Sequence, residues 1–164
     1  MRDEEIITIN IPAGVTIIED RVFEGCENIT SVVIPDGVTK INDGTFTHCS
    51  MLTSITIPDR VTSIGSDVFT GCTGLTSVSL PDGFKAIGNR AFFGCYNLTD
   101  LIIPDSVTDI GGEAFTECTK LLRSENGVMY VGKWAVDCDL FEFNITLRSD
   151  TIRISDSACY YSIA

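Results

Sequence analysis

Apolar and polar positions along this chain recur with a period of 23 residues. In the copy from Leu52 to Gly74, LTSITIPDRVTSIGSDVFTGCTG, the residues Leu52, Ile55 and Ile57 are apolar while Thr53, Ser54 and Thr56 are polar. The last of these alternate, which predicts a short strand with one face inward and one outward. Pro58-Asp59 ends it, because proline supplies no ladder donor and Pro-Asp, followed by glycine in other copies, is turn chemistry. Val61 and Ile64 predict a second short inward-facing segment, which Gly65 helps to end. Phe69 and Cys72 stand three apart and so share a face of one helical or 3₁₀ turn, from which the phenylalanine reaches under the strand into the core. Gly71 and Gly74 then let the chain swing back to begin the next copy.

The same pattern is read from Ile29, from Leu75 and from Leu98, with a looser first copy at Ile6 to Asn28. Prolines 12, 35, 58, 81 and 104 fall in one register, as do phenylalanines 23, 46, 69, 92 and 115 and cysteines 26, 49, 72, 95 and 118. A fixed period of this length marks a repeat array, in which no unit buries its own apolar face and each stacks on the next. The interior is then built from ladders: 29, 52, 75, 98; 32, 55, 78, 101; 34, 57, 80, 103; 38, 61, 84, 107; and the phenylalanines. No apolar periodicity is long enough for a ten-residue helix, which leaves a globular α/β arrangement with little support.

The motif LxxIxIPDxVTxIGxxAFxGC, repeated at this spacing over residues 6–120, resembles the BspA-like leucine-rich repeats of bacterial surface proteins and some protozoan parasites. The resemblance implies an α/β leucine-rich-repeat solenoid, right-handed and horseshoe-like, with short parallel strands and brief helical or 3₁₀ turns. The whole of 1–164 reads as one such domain. Beyond the regular copies, ENGVMYVGKWAV predicts a β-hairpin about Gly132-Lys133, within an insertion at about 124–143. A worn repeat follows at 145–162, where Arg148 takes the proline place, Ile154 keeps the second-segment isoleucine, Ala158 keeps the alanine and Cys159 takes the phenylalanine place. Because the chain opens and stops inside repeats, it is expected to be a piece of a longer protein. Trp134, the only tryptophan, is expected to pack, with a binding anchor as the other reading.

Charge narrows the partners. Eleven Lys plus Arg against 23 Asp plus Glu give a net charge of −12, which disfavours nucleic acid and anionic membranes and more readily admits a basic or neutral partner. No stretch is long and apolar enough for a membrane span, and the first residues lack the pattern of a signal peptide.

Five of the seven cysteines occupy one column, with neighbours about 5 Å apart. Side chains so stacked point in parallel rather than at one another, so reduced thiols filling the core are expected. A zinc site from Cys26, Cys49, Cys72 and His48 lacks both a CxxC pair and a second histidine. His48 is the sole histidine and falls at a surface-turn position, so no nucleophile–histidine pair presents itself and no enzyme, cofactor or metal is expected. The acidic column Asp36, Asp59, Asp82 and Asp105 is a weaker place to look for calcium, since aspartate after proline commonly bonds its own turn amides. Three sequons, at Asn28, Asn97 and Asn144, carry meaning only in a glycosylating host, and two follow from the repeat consensus itself.

The outward strand face is the candidate partner surface: Thr30, Thr53, Thr76, Thr99; Ser31, Ser54, Ser77, Asp100; and Thr56 and Ser79, between Val33 and Ile102. Short polar side chains on a regular sheet suit proteins or glycans, and solenoids bind along such faces. The competing reading is that Ser and Thr are simply good solvent-facing strand residues. The function expected is a non-enzymatic protein-interaction or adhesion module of a cell-surface or secreted protein, its partners being host, matrix or other cell-surface molecules, as the family resemblance implies. The alternative is a structural spacer that presents another domain and has no ligand of its own.

Overall fold

A computed structural model describes residues 7–125, 128–138, 147–156 and 158. Each coil contributes two short strands. The first strands are β1 (Ile7–Asn10), β3 (Ile29–Val33), β5 (Ser54–Thr56), β7 (Ser77–Ser79) and β9 (Asp100–Leu101). They form one parallel sheet in the order β1-β3-β5-β7-β9, with Ser54 opposite Ser77 and Ile55 opposite Val78. The second strands are β2 (Ile17–Ile18), β4 (Lys40–Ile41), β6 (Ser63–Ile64), β8 (Ala86–Ile87) and β10 (Asp109–Ile110). They make a second five-stranded parallel sheet. The whole is a parallel-strand solenoid of about six turns with the leucine-rich-repeat fold.

The expected helical turn and the α/β class are corrected here: among the described residues there is no helix. The segment around Phe69 and Cys72 is a pair of tight turns, closed by Thr70 N to Asp67 O and Cys72 N to Phe69 O. Asp67 (φ 56°) and Gly71 (φ 71°) lie in the left-handed region, so the run of right-handed residues a helix requires is broken every four residues. What the segment loses within the coil it gains between coils. Asp67, Phe69 and Gly71 donate their N–H groups to Asn89, Ala91 and Phe93 of the next coil, every second residue, as a sheet would.

The interior follows the ladders. Phe23, Phe46, Phe69, Phe92 and Phe115 stack with centroids 5.3–5.5 Å apart, and the last four of them are fully buried. Leu52, Leu75, Leu98, Val61 and Phe84 are wholly inaccessible, while Leu80 and Ile103 are only partly covered. The glycines that end the second strands serve close packing. A Cβ on Gly88 would sit 2.3 Å from the carbonyl oxygen of Gly65, and one on Gly111 would sit 2.5 Å from Asn89 N.

At the far end the expected hairpin is present. Strands β12 (Val128–Val131) and β13 (Trp134–Cys138) pair antiparallel around Gly132, and β11 (Arg123–Glu125) pairs with β12. Val131, Trp134 and Val136 close the end of the main core, which gives Trp134 the expected packing role at 3% exposure. The worn repeat returns as β14 (Arg153–Ile154), which runs parallel to β13. Ile154 keeps its register but is 55% exposed; its expected place in the interior is not taken, because its strand pairs with β13 and Ser155 turns inward to donate to Val136 O. Ala158 is buried as expected, while Cys159, Asn144 and much of the worn copy lie outside the described residues.

Candidate interaction face

The alternation in β3, β5, β7 and β9 turns Ile55, Val78 and Leu101 inward and leaves the polar columns outward. Ser54, Thr56, Ser79, Asp100 and the threonines at 53, 76 and 99 are exposed, and Thr30, Ser31 and Ser77 half-buried. The threonine column is not free. Thr30, Thr53, Thr76 and Thr99 each donate the hydroxyl hydrogen to the carbonyl one coil earlier, at 3.4, 3.3, 3.0 and 3.3 Å. These hydroxyls tie coil to coil. The serine column and the outermost column have no such bond among the described residues.

Two shallow depressions lie on this face. One, of about 260 Å³, is lined by residues that include Ser31, Val33, Asp36, Ser54, Thr56 and Pro58. The other, of about 290 Å³, includes Ser77, Ser79, Asp82, Asp100, Ile102 and Pro104. Each bridges two adjacent coils, and every residue of the second is a residue of the first advanced by two repeats. Each has one apolar member open to solvent: Val33 is 52% and Ile102 80% exposed. Sequence reasoning placed Val33 and Ile102 among the outer positions without singling them out. The available signal was a large apolar residue in an outward register otherwise held by Asn, Thr or Ser.

Other candidate chemistry is dispersed. Cys49, Cys72, Cys95 and Cys118 are buried, and each thiol donates to the carbonyl of a phenylalanine in the preceding coil at 3.0–3.2 Å. Burial pushes the Cys49 thiol up to about 12, and burial also raises Cys72. A hydrogen bond with Cys118, together with burial, raises Cys95. His48 is exposed at a left-handed turn position (φ 59°). Asp36, Asp59, Asp82 and Asp105 are all exposed, and among the described residues no three of His, Cys, Asp and Glu gather as a metal site. Asn97 of the second sequon is held by bonds to Thr73 O and from Lys120 Nζ.

The profile of the BspA type leucine rich repeat region matches residues 2–122 in six copies. The chain belongs to the BspA-type leucine-rich-repeat family. Solved structures of bacterial leucine-rich-repeat proteins share its fold. A leucine-rich-repeat protein of T. pallidum superposes with a TM-score of 0.69 at 22% identity, over 93% of this chain and 70% of that one. One from Bacteroides ovatus gives 0.68 at 25% identity, over 94% and 46%. A leucine rich cell surface protein from Faecalibacterium prausnitzii gives 0.65 at 32% identity, over 82% and 39%. This BspA-type chain thus spans less than half of the last two. No curated protein matches it.

Proposed function

We propose that this BspA-type array is a non-enzymatic interaction or adhesion module of a cell-surface or secreted protein. It takes host, matrix or other cell-surface partners on the face formed by β3, β5, β7 and β9. The observation that carries this reading is the pair of open depressions on the first sheet, each combining exposed hydroxyl and carboxylate groups with one exposed apolar side chain, Val33 in one and Ile102 in the other. Surface location draws its support from the family and from the F. prausnitzii relative, whose description is a cell surface protein. The absence of chemistry of its own is supported by the thiols, which burial keeps protonated and unreactive, and by the isolation of the one histidine.

The test is to immobilise the chain and screen fibronectin, fibrinogen, laminin, collagen and a glycan panel. A variant with Ser54, Thr56, Ser77 and Ser79 changed to lysine runs beside it. Binding by the parent that the variant loses is expected; equal binding by both would move the site off this face. A spacer without ligand is the second reading, favoured by the threonine hydroxyls that are wholly engaged in joining coils. A spacer is sensitive to removal of a coil and indifferent to the lysine substitutions.

A further inference from the structure

We infer that the strand face takes a basic polypeptide segment in a polyproline-II-type conformation, lying along the coil axis with a lysine or arginine at every third position. The inference rests on the proposed binding role of that face and names the chemistry of its partner.

Three observations lead to it. First, the lining of both depressions includes carboxylates and no basic residue: Asp36 in one, Asp82 and Asp100 in the other. Among the described residues these three carboxylates have no hydrogen-bond or ion-pair partner, unlike Asp67, whose carboxylate pairs with Arg90 at 3.2 Å. They are exposed, uncommitted and set on a chain of net charge −12, so the complementary ligand is cationic. Second, each depression has an apolar wall open to solvent, Val33 in one and Ile102 in the other, which suits an aliphatic stem or a proline ring beside the cation. Third, the two depressions lie two coils apart, and strands in a parallel sheet stand about 4.8 Å apart, so the two sites are separated by about 10 Å.

That spacing selects the conformation. A β-strand returns side chains to one face about every 6.6 Å, and the next return is near 13 Å. Neither matches. A polyproline-II helix has three residues per turn at about 3.1 Å each, so every third side chain comes back to the same face after about 9 Å. The sheet beneath is already paired along its interior strands, which leaves side-chain contact, rather than strand addition, as the mode of docking.

The experiment uses the complete 164-residue chain and a labelled peptide of six Lys-Pro-Pro units, read by fluorescence anisotropy at low salt. A peptide with the same number of lysines at every fourth position is the comparison. Binding of the period-three peptide is expected, about fivefold tighter than the comparison and weakening as salt is added. The triple substitution Asp36→Asn, Asp82→Asn, Asp100→Asn is expected to weaken it about tenfold. Asp59→Asn, in the same column but in neither depression, should weaken binding by less than about twofold, well short of the triple variant, and thermal melts establish that all variants are folded. Equal affinity for the two peptides, equal weakening by Asp59→Asn, or no binding of the period-three peptide would each overturn the inference. A partner from the protein and glycan screen that the lysine variant loses but the triple asparagine variant retains would overturn it too, while leaving the interaction role of the face intact.

Discussion

Replacing Phe69 by alanine tests the architecture at its centre. Phe69 is fully buried, with Phe46 at 5.5 Å on one side and Phe92 at 5.3 Å on the other. Truncating a buried phenylalanine costs about 3–5 kcal/mol through lost burial and the cavity left behind. Each stacked neighbour adds about 0.5–1.5 kcal/mol beyond area, and two are lost here, so the upper end of that range is expected. Phe23 provides the internal comparison. It has one stacked neighbour, at 5.4 Å, and is only partly buried at the end of the column, so Phe23→Ala should cost about half as much. For a chain of this size about 4 kcal/mol corresponds to roughly 8–16 °C in melting temperature. Urea titrations followed by circular dichroism give both variants against the parent. Because coils touch only their neighbours, Phe69→Ala should also broaden the transition as the two halves uncouple. Equal losses for the two substitutions would refute the reasoning, since the end and the middle of a continuous stack would then be energetically alike.

Three further outcomes can be checked. The raised thiols of Cys49, Cys72 and Cys95 keep their protons in the fold beyond the point where the unfolded chain, with ordinary thiols near 9.0, has lost them. Their contribution is therefore fully present below pH 9 and is lost progressively as pH rises above it, until Cys49 itself titrates at about 12. Urea midpoints that stay constant between pH 9 and pH 10.5 would contradict this. Gly88→Ala, whose Cβ meets the Gly65 backbone at 2.3 Å, should cost at least about 2 kcal/mol, whereas Gly83→Ala, with open space around it, should be neutral or gain about 0.4–1 kcal/mol. Thermal melts of the two separate packing from flexibility. His48→Gly, at φ 59° where neighbouring coils have Gly71 and Gly94, should raise stability by about 0.5–1 kcal/mol, measured the same way.

The register of the fold is legible in the sequence because identical side chains recur at one interval and must meet when coiled: the phenylalanine, leucine and cysteine columns are all where the pattern puts them. The turn carrying Phe69 and Cys72 reads as helical in the sequence because its left-handed position is held by Arg21, Asp67, Arg90 and Glu113 in four copies, with a glycine only at Gly44. The residue type there does not advertise the conformation; the bonds to the next coil impose it. The second sheet is likewise hidden, since strands of two residues are too short to show a period. Ile154 looks like its repeat counterparts, yet its exposure is decided by β13, which no local pattern brings beside it. On the face, outward positions could be read from alternation, whereas the depressions depend on which side chains from adjacent coils stand together.

The bonds that join the coils have a mechanical meaning. Those between coils, such as Phe69 N to Ala91 O and Thr76 N to Thr53 O, run from each coil to the next. A pull applied at one end therefore loads one coil boundary at a time and peels the array open like tape, rather than shearing it as a unit. Each released coil is 23 residues, the interval its ladder bonds span, and yields about 80 Å of extended chain. Such a segment would lengthen under load in even increments while its remaining coils, and whatever surface they display, stay assembled.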